Sequence, residues 1–165
     1  MTQLPDRDRE TLERIAAAQD ADTIDRALTA ARERLQMDAA YVSHVDSERQ
    51  LINEVSGDSA PLGFASGTEI PIKDTYCSRM LSGALPNVVP DTSKEPAVHG
   101  LGPTALVGSY VGVAITLADG SVHGTLCAAS SEPREQLGDE ELAFMRVLAG
   151  MVANRIDRSH GNRPR

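Results

Sequence analysis

Cys77 and Cys127 are the two thiols of this sequence and its strongest nucleophiles. Cys77 falls in the first turn of a short helix, TYCSRM, opened by Asp74 and Thr75. A helix N-terminus favours thiolate through its dipole and free N–H groups. Cys77 is therefore a candidate redox- or electrophile-sensing thiol, or a covalent ligand anchor. The plainer expectation is a small packing residue, a common fate of free cysteine. Cys127 sits in a strand that this helix is expected to cover, so the thiols are candidates for proximity. A disulfide would require Cα atoms within about 7 Å, and pairing is rare in a reducing compartment. His99 and His123 carry imidazoles, but no CxxC or HExxH spacing surrounds them, so a metal site is not expected. Tyr76 and Tyr110 are suited to stack on a planar ligand or to donate O–H bonds. Asp91, after Pro90, either orients a ligand or caps its own loop, and the cap is the expected role.

These residues converge through one hairpin, Gly108 to Ser130, with Asp119-Gly120 at its tip. Asp-Gly between alternating runs predicts a two-residue turn in which both residues take positive φ. The register that follows sets Leu117 opposite Val122, Ile115 opposite Gly124, Val113 opposite Leu126 and Gly112 opposite Cys127. One face then carries Val111, Val113, Ile115, Leu117, Val122, Leu126 and Ala128. The other carries Tyr110, Gly112, Ala114, Thr116, His123, Thr125, Cys127 and Ala129. The first suits helix packing; the second is small and polar and leaves room for solvent or a ligand.

The rest of the chain must cover both faces. Helical periodicity is expected over residues 6–19 and 22–36, the latter with Ile24, Leu28, Ala31 and Leu35 as its stripe and Asp22 or Thr23 as its cap. Strands follow at 40–45, 51–55 and 68–72, then the helix 76–82 ended by Gly83, and a brief strand at 87–89. Residues 91–108 form a long loop containing Pro96, Gly100, Gly102 and Pro103; such loops are often lids. A last helix spans 139–156, where Leu142, Met145, Ala149, Val152 and Ile156 make one stripe. Phe144, Val147, Leu148 and Met151 widen it beyond what one sheet face needs, which predicts a homodimer through the terminal helices. The order α-α-β-β-β-α-β-loop-β-β-α implies an α+β antiparallel sheet. The N- and C-terminal helices lie on one face, and a short helix plus a loop roof a pocket on the other.

With 165 residues the chain is the size of one domain, expected over 8–157 with flexible ends at 1–7 and 158–165. A net charge of −8 opposes binding to nucleic acid or anionic lipid. No Trp and only 3% aromatic residues argue against stacking platforms for single strands. No apolar run spans a bilayer and no secretory leader opens the chain, so no membrane association and a cytoplasmic location are expected.

The pieces "DAAYVSHVD", "IPIKDTYCSRMLSGALPNVVPDTSKEPAV", "VGSYVGVAITLADGSVHGTLCAAS" and "LGDEELAFMRVLAGMVANRI" stand in the order of a GAF domain. Across about residues 8–157 the chain resembles this PAS-like sensory fold. The helix "TYCSRM" with "LPNVVPD" resembles a bacterial signalling subgroup. The resemblance implies a sheet of about six strands, a ligand pocket on one face and a helical dimer surface on the other. It lacks the NKFDE constellation of cyclic-nucleotide-binding members, the Cys-His dipeptide that anchors bilins, and the three cysteines of free methionine sulfoxide reductases. No kinase, diguanylate cyclase, phosphodiesterase or DNA-binding output is expected within these 165 residues.

The expected function is a non-catalytic sensory or regulatory module that binds an unidentified small molecule or senses redox state, and signals through its helical dimer interface to a partner protein. Its pocket residues are Tyr76, Cys77, Met80, Asp91, Tyr110, Gly112, Ala114, Thr125 and Cys127, with no catalytic residue, no metal and no required cofactor. The alternatives are a thiol reductase and a ligand-free dimerisation domain.

Overall fold

The computed structural model describes residues 3–17, 22–99, 101 and 106–159. Gly100, Gly102 and Pro103 of the long loop, the last two residues of the first expected helix and the tail 160–165 lie outside the described residues.

Two helices, α1 (Asp6–Ala16) and α2 (Thr23–Leu35), lead into the strands β1 (Ala39–Val45), β2 (Arg49–Gly57) and β3 (Glu69–Pro71). Then come α3 (Tyr76–Ser82), the two-residue β4 (Val88–Val89), the hairpin β5 (Ser109–Thr116) and β6 (Val122–Ser130), and α4 (Asp139–Ser159). The six strands form one antiparallel sheet in the order β3-β2-β1-β6-β5-β4. This is an α+β fold, with the element order expected from the sequence. The first helix begins at Asp6 and the last continues through Arg158 and Ser159, past the expected domain limits.

Helices α1, α2 and α4 cover one sheet face. Leu28, Leu35, Phe144, Met145, Leu148 and Val152 interlock there with Val42, Val111, Val113, Ile115 and Leu126. Arg34 ties the three helices together, donating to Asp8 at 2.8 Å and Glu141 at 2.9 Å. Its pKa is raised: burial alone would lower it, but the two carboxylates outweigh that. Asp22 does not cap α2 with its side chain; its carboxylate faces Arg26 instead, at 4.0 Å. The broad apolar surface of α4 is largely used inside the chain. Phe144 and Leu148 are fully buried, Met151 is half-buried against the same core, and Val147 is exposed.

The hairpin keeps the expected register from Ser109–Ser130 to Ile115–Gly124 and departs from it at the tip. Leu117 donates to Ser121 and Gly120 to Leu117, which makes a three-residue loop. Gly120 takes a φ of +89° while Asp119 stays at negative φ. The loop is thus an ordinary turn closed by a left-handed glycine, not the two-residue turn with both residues inverted. Thr116 then pairs with Val122 and a bulge restores the register. The extra residue moves two side chains. Val122 leaves the apolar face and is 47% exposed. His123 leaves the face of Thr125 and stacks on His44, ring centroids 4.7 Å apart.

Candidate ligand cavity

The second sheet face is covered by α3 and by one-turn 3-10 helices at Thr92–Lys94, Pro96–Val98 and Ala60–Leu62. Beneath them lies an enclosed cavity of about 10 Å³, lined by Tyr41, Gln50, Ile52, Phe64, Ile70, Tyr76, Cys77, Val107 and Tyr110. That volume holds at most about one water. The expected room is filled by the protein's own rings. Four of the five aromatic residues meet here: Tyr41 meets Phe64 edge-on at 4.9 Å, and Tyr76 meets Tyr110 at 5.2 Å.

The backbone explains how the rings fit. Gly112 lacks the Cβ that would overlap the Tyr110 hydroxyl, so the phenol folds flat over the sheet. The hydroxyl reaches Cys127 Sγ at 3.3 Å. At the other end Gln50 Nε2 donates to Ser43 Oγ at 2.9 Å, and Ser43 and Thr125 share a 2.6 Å bond. These buried polar atoms are satisfied, as low-dielectric surroundings demand.

Among the described residues no charged side chain lines the cavity. Thr75 caps α3, accepting from Ser78 N at 3.1 Å, and Cys77 Sγ donates to Thr75 Oγ1 at 3.4 Å. Both the cap and nearby backbone N–H groups favour thiolate, but burial outweighs them and pushes Cys77 up to about 12. Of the two readings of Cys77, its burial accords with the plainer one, a packing residue: α3 has seven residues, and Cys77 points into the core instead of solvent. Burial raises Cys127 too, and lifts Tyr41 and Tyr110 well above the usual phenol range.

Arg79 fastens the roof. Its guanidinium donates to the carbonyls of Ala97 at 2.9 Å, Lys73 at 2.7 Å and Thr75 at 3.0 Å. One side chain thereby joins α3, the segment before it and the 3-10 turn of the long loop.

The structure sorts the residues expected here. Tyr76, Cys77 and Tyr110 line the cavity. Thr125 and Cys127 are buried behind it, Gly112 lies under Tyr110, and Met80 packs in the same cluster. Ala114 lies instead on a groove at the sheet edge. Asp91 is outside the lining and accepts from Ser93 N and Oγ, which holds its carboxyl below the usual range. Tyr41, Gln50, Ile52, Phe64, Ile70 and Val107 are lining residues that sequence periodicity did not single out. Tyr41 was findable as the third tyrosine on an alternating strand; Phe64, in a Gly/Ser/Pro-rich loop, gave no periodic signal. Among the described residues no cluster of three His, Cys, Asp or Glu is placed to hold a metal.

A larger hollow lies elsewhere, an open groove of about 1080 Å³ between α1, α2 and α4. Its walls carry both signs of charge, with Arg34 already paired to Asp8 and Glu141. It has neither the enclosure nor the apolar lining of a small-molecule site.

A family model for the GAF domain matches residues 21–156. Among solved structures, the chain is similar to the GAF domain of an Acinetobacter phosphoenolpyruvate-protein phosphotransferase, at 15% identity and TM-score 0.73, covering 96% of this chain and 95% of that one. It is also similar to free methionine-R-sulfoxide reductase from Neisseria meningitidis in complex with its substrate, at 17% identity and TM-score 0.70, covering 99% and 98%. A phycocyanobilin-bound GAF domain from a cyanobacterial phytochrome matches at 18% identity and TM-score 0.71, covering 99% and 100%. No curated protein matches the chain by sequence.

Proposed function

The chain belongs to the GAF domain family, and from that premise we propose a sensory module whose ligand is a neutral, planar small molecule. The observation that carries this reading is the chemistry of the cavity wall, with four aromatic rings, the one buried thiol of Cys77, an amide and, among the described residues, no charge. Such a wall rejects ions, since an unpaired charge there would lose its hydration. It favours flat rings with one or two hydrogen-bonding groups, which Gln50 and the tyrosine hydroxyls can meet.

At about 10 Å³ the cavity is closed, so the ligand must displace part of the roof. Exposing a tyrosine ring costs about 2–3 kcal/mol, while burying ~200 Å² of apolar ligand surface returns about 5 kcal/mol. The balance favours opening for a ligand of that size. Binding then selects the open state in proportion to its differential affinity. The shared sheet carries the change to α2 and α4, whose side chains lock into its opposite face. Pairing of two copies through the terminal helices is part of the same proposal, with Val147 as the exposed apolar side chain of α4.

Catalysis by a thiol is the less favoured reading. With Cys77 pushed up to about 12, only about one thiol in 100,000 is ionised at neutral pH. The test is a thermal-shift panel of neutral and charged heteroaromatic compounds on the wild type and on Cys77→Ser. Neutral compounds alone should raise the melting temperature, equally in both proteins. A response only to charged compounds overturns the reading, and methionine sulfoxide turnover lost in Cys77→Ser would replace it with the enzyme.

A further inference from the structure

The short β4 leaves part of the sheet edge open. Its two residues pair with Tyr110 and Val111 only. One step further, Gly112 N donates to the Asn87 carbonyl at 2.9 Å, and Asn87 Nδ2 donates to the Gly112 carbonyl at 2.8 Å. The Asn87 side chain thus imitates one more strand residue and ends the pairing. Gly112 directs both backbone groups away from β6. Antiparallel alternation therefore turns the N–H and C=O of Ala114 the same way, toward the edge. Nothing in β4 reaches that far.

This edge is the floor of a groove of about 420 Å³. Met80 and Leu81 of α3 form one wall, and Arg146, Ala149 and Gly150 of α4 form the other. The small residues at 149 and 150 let a chain approach the edge; a Cβ placed on Gly150 meets nothing within 4 Å. Leu81 is 36% exposed beside the opening. Arg146 is exposed and has no hydrogen bond or ion pair among the described residues. Its helix neighbours three and four positions away are Leu142, Ala143, Ala149 and Gly150, none of them acidic.

We propose that the open edge of β5 at Ala114–Thr116 docks an extended, acidic segment of a partner protein, which adds a strand to the sheet and sets a carboxylate against Arg146. Three features select this occupant. The unpaired backbone calls for a strand, because an exposed edge is a template for one. The apolar wall accepts alternate side chains of that strand. The free cation, on a chain of net charge −8, calls for an acidic residue. A second copy of this chain paired β5 to β5 would bring two Arg146 side chains together, which like-charge repulsion opposes. Met80 also packs in the aromatic cluster under the roof, so a docked strand touches the helix that closes the cavity. The docking stands on its own geometry and does not require a cavity ligand.

The test uses two capped synthetic pentapeptides, Thr-Val-Glu-Val-Thr and the same sequence with Lys at its centre, titrated into the full chain. The Glu peptide should bind about fivefold tighter than the Lys peptide, the scale of one partly exposed ion pair gained against one repulsion. Arg146→Glu should invert that preference. The Ala114 and Thr116 amides should shift in NMR spectra and become protected from exchange. Ala114→Pro should abolish binding and leave the fold intact, since an outward N–H on an edge strand is where proline is tolerated. Saturable binding of neither peptide at millimolar concentration overturns the proposal, as does equal binding of both. A wild-type dimer in light scattering that Ala114→Pro converts to monomer assigns the edge to a second copy and overturns it too.

Discussion

The two faces of the sheet are both sealed, but by different means. The helix face is closed by aliphatic side chains and Phe144 on three regular helices, with Arg34 paired to Asp8 and Glu141 between them. The roof face is closed by Tyr41, Tyr76, Tyr110 and Phe64, under one short helix and a set of single turns. There every ring except Phe64 carries a hydroxyl, and Arg79 supplies what longer helices would have supplied. Long helices resist local opening, and turns held by a few hydrogen bonds open at lower cost. On this contrast the roof face is the one expected to open first, and the helix face the one expected to hold.

All three tyrosines lie on the roof face and the chain has no Trp, so tyrosine fluorescence reports that face alone. The contrast can then be broken in order of expected effect. Phe144→Ala, on the helix face, should cost about 3–5 kcal/mol by denaturant unfolding, with fluorescence and far-UV circular dichroism transitions staying coincident. Gly112→Ala forces the Tyr110 ring off the sheet and should cost about 1–3 kcal/mol, with a fluorescence change in the native state that Phe144→Ala does not produce. Arg79→Met should cost about 1–2 kcal/mol and accelerate amide exchange at Ala97 to His99 while leaving α4 protected. Tyr110→Phe, which loses only the bond to Cys127, should cost about 0.5–1.5 kcal/mol. If Phe144→Ala loosens the tyrosines as readily as Arg79→Met does, the two faces are one cooperative unit and the contrast fails.

Alkaline pH sharpens the same comparison. Cys77 is an acid whose folded pKa, about 12, lies above that of an ordinary thiol. Between those values the folded state holds more protons than the unfolded one, so stability falls as pH rises. The contribution is complete below about pH 9 and is lost on the way to about pH 12. Buried Tyr41 and Tyr110, also raised, act in the same direction. Cys77→Ser should flatten the alkaline fall of the melting temperature; an unchanged slope would place that thiol in water.

Much of the fold was legible because periodicity is local. The stripe Leu28, Ala31, Leu35 and the alternation Val111, Val113, Ile115 each name a buried face without knowledge of its partner. The hairpin tip was not, because Asp-Gly fits both a two-residue loop and a three-residue loop with glycine left-handed. The difference depends on how the tip is held. Asp157 at the end of α4 accepts from Ala118 N at 2.9 Å, a contact from a distant element. The pocket was half legible. Tyr76, Cys77 and Tyr110 followed from strand faces and a helix start, whereas Phe64 and Val107 come from loops whose path the sheet dictates.

By itself the sequence determined the element order, the antiparallel sheet and which side of the hairpin is aliphatic, because each rests on the spacing of neighbouring residues. Tertiary structure alone decided the state of the two thiols and of the pocket. A helix start argues for thiolate until burial is known, and burial is a sum over residues far apart in the chain. Small residues on a strand leave room until the rings that fill it are placed, and here Tyr110 lies in the space that Gly112 leaves.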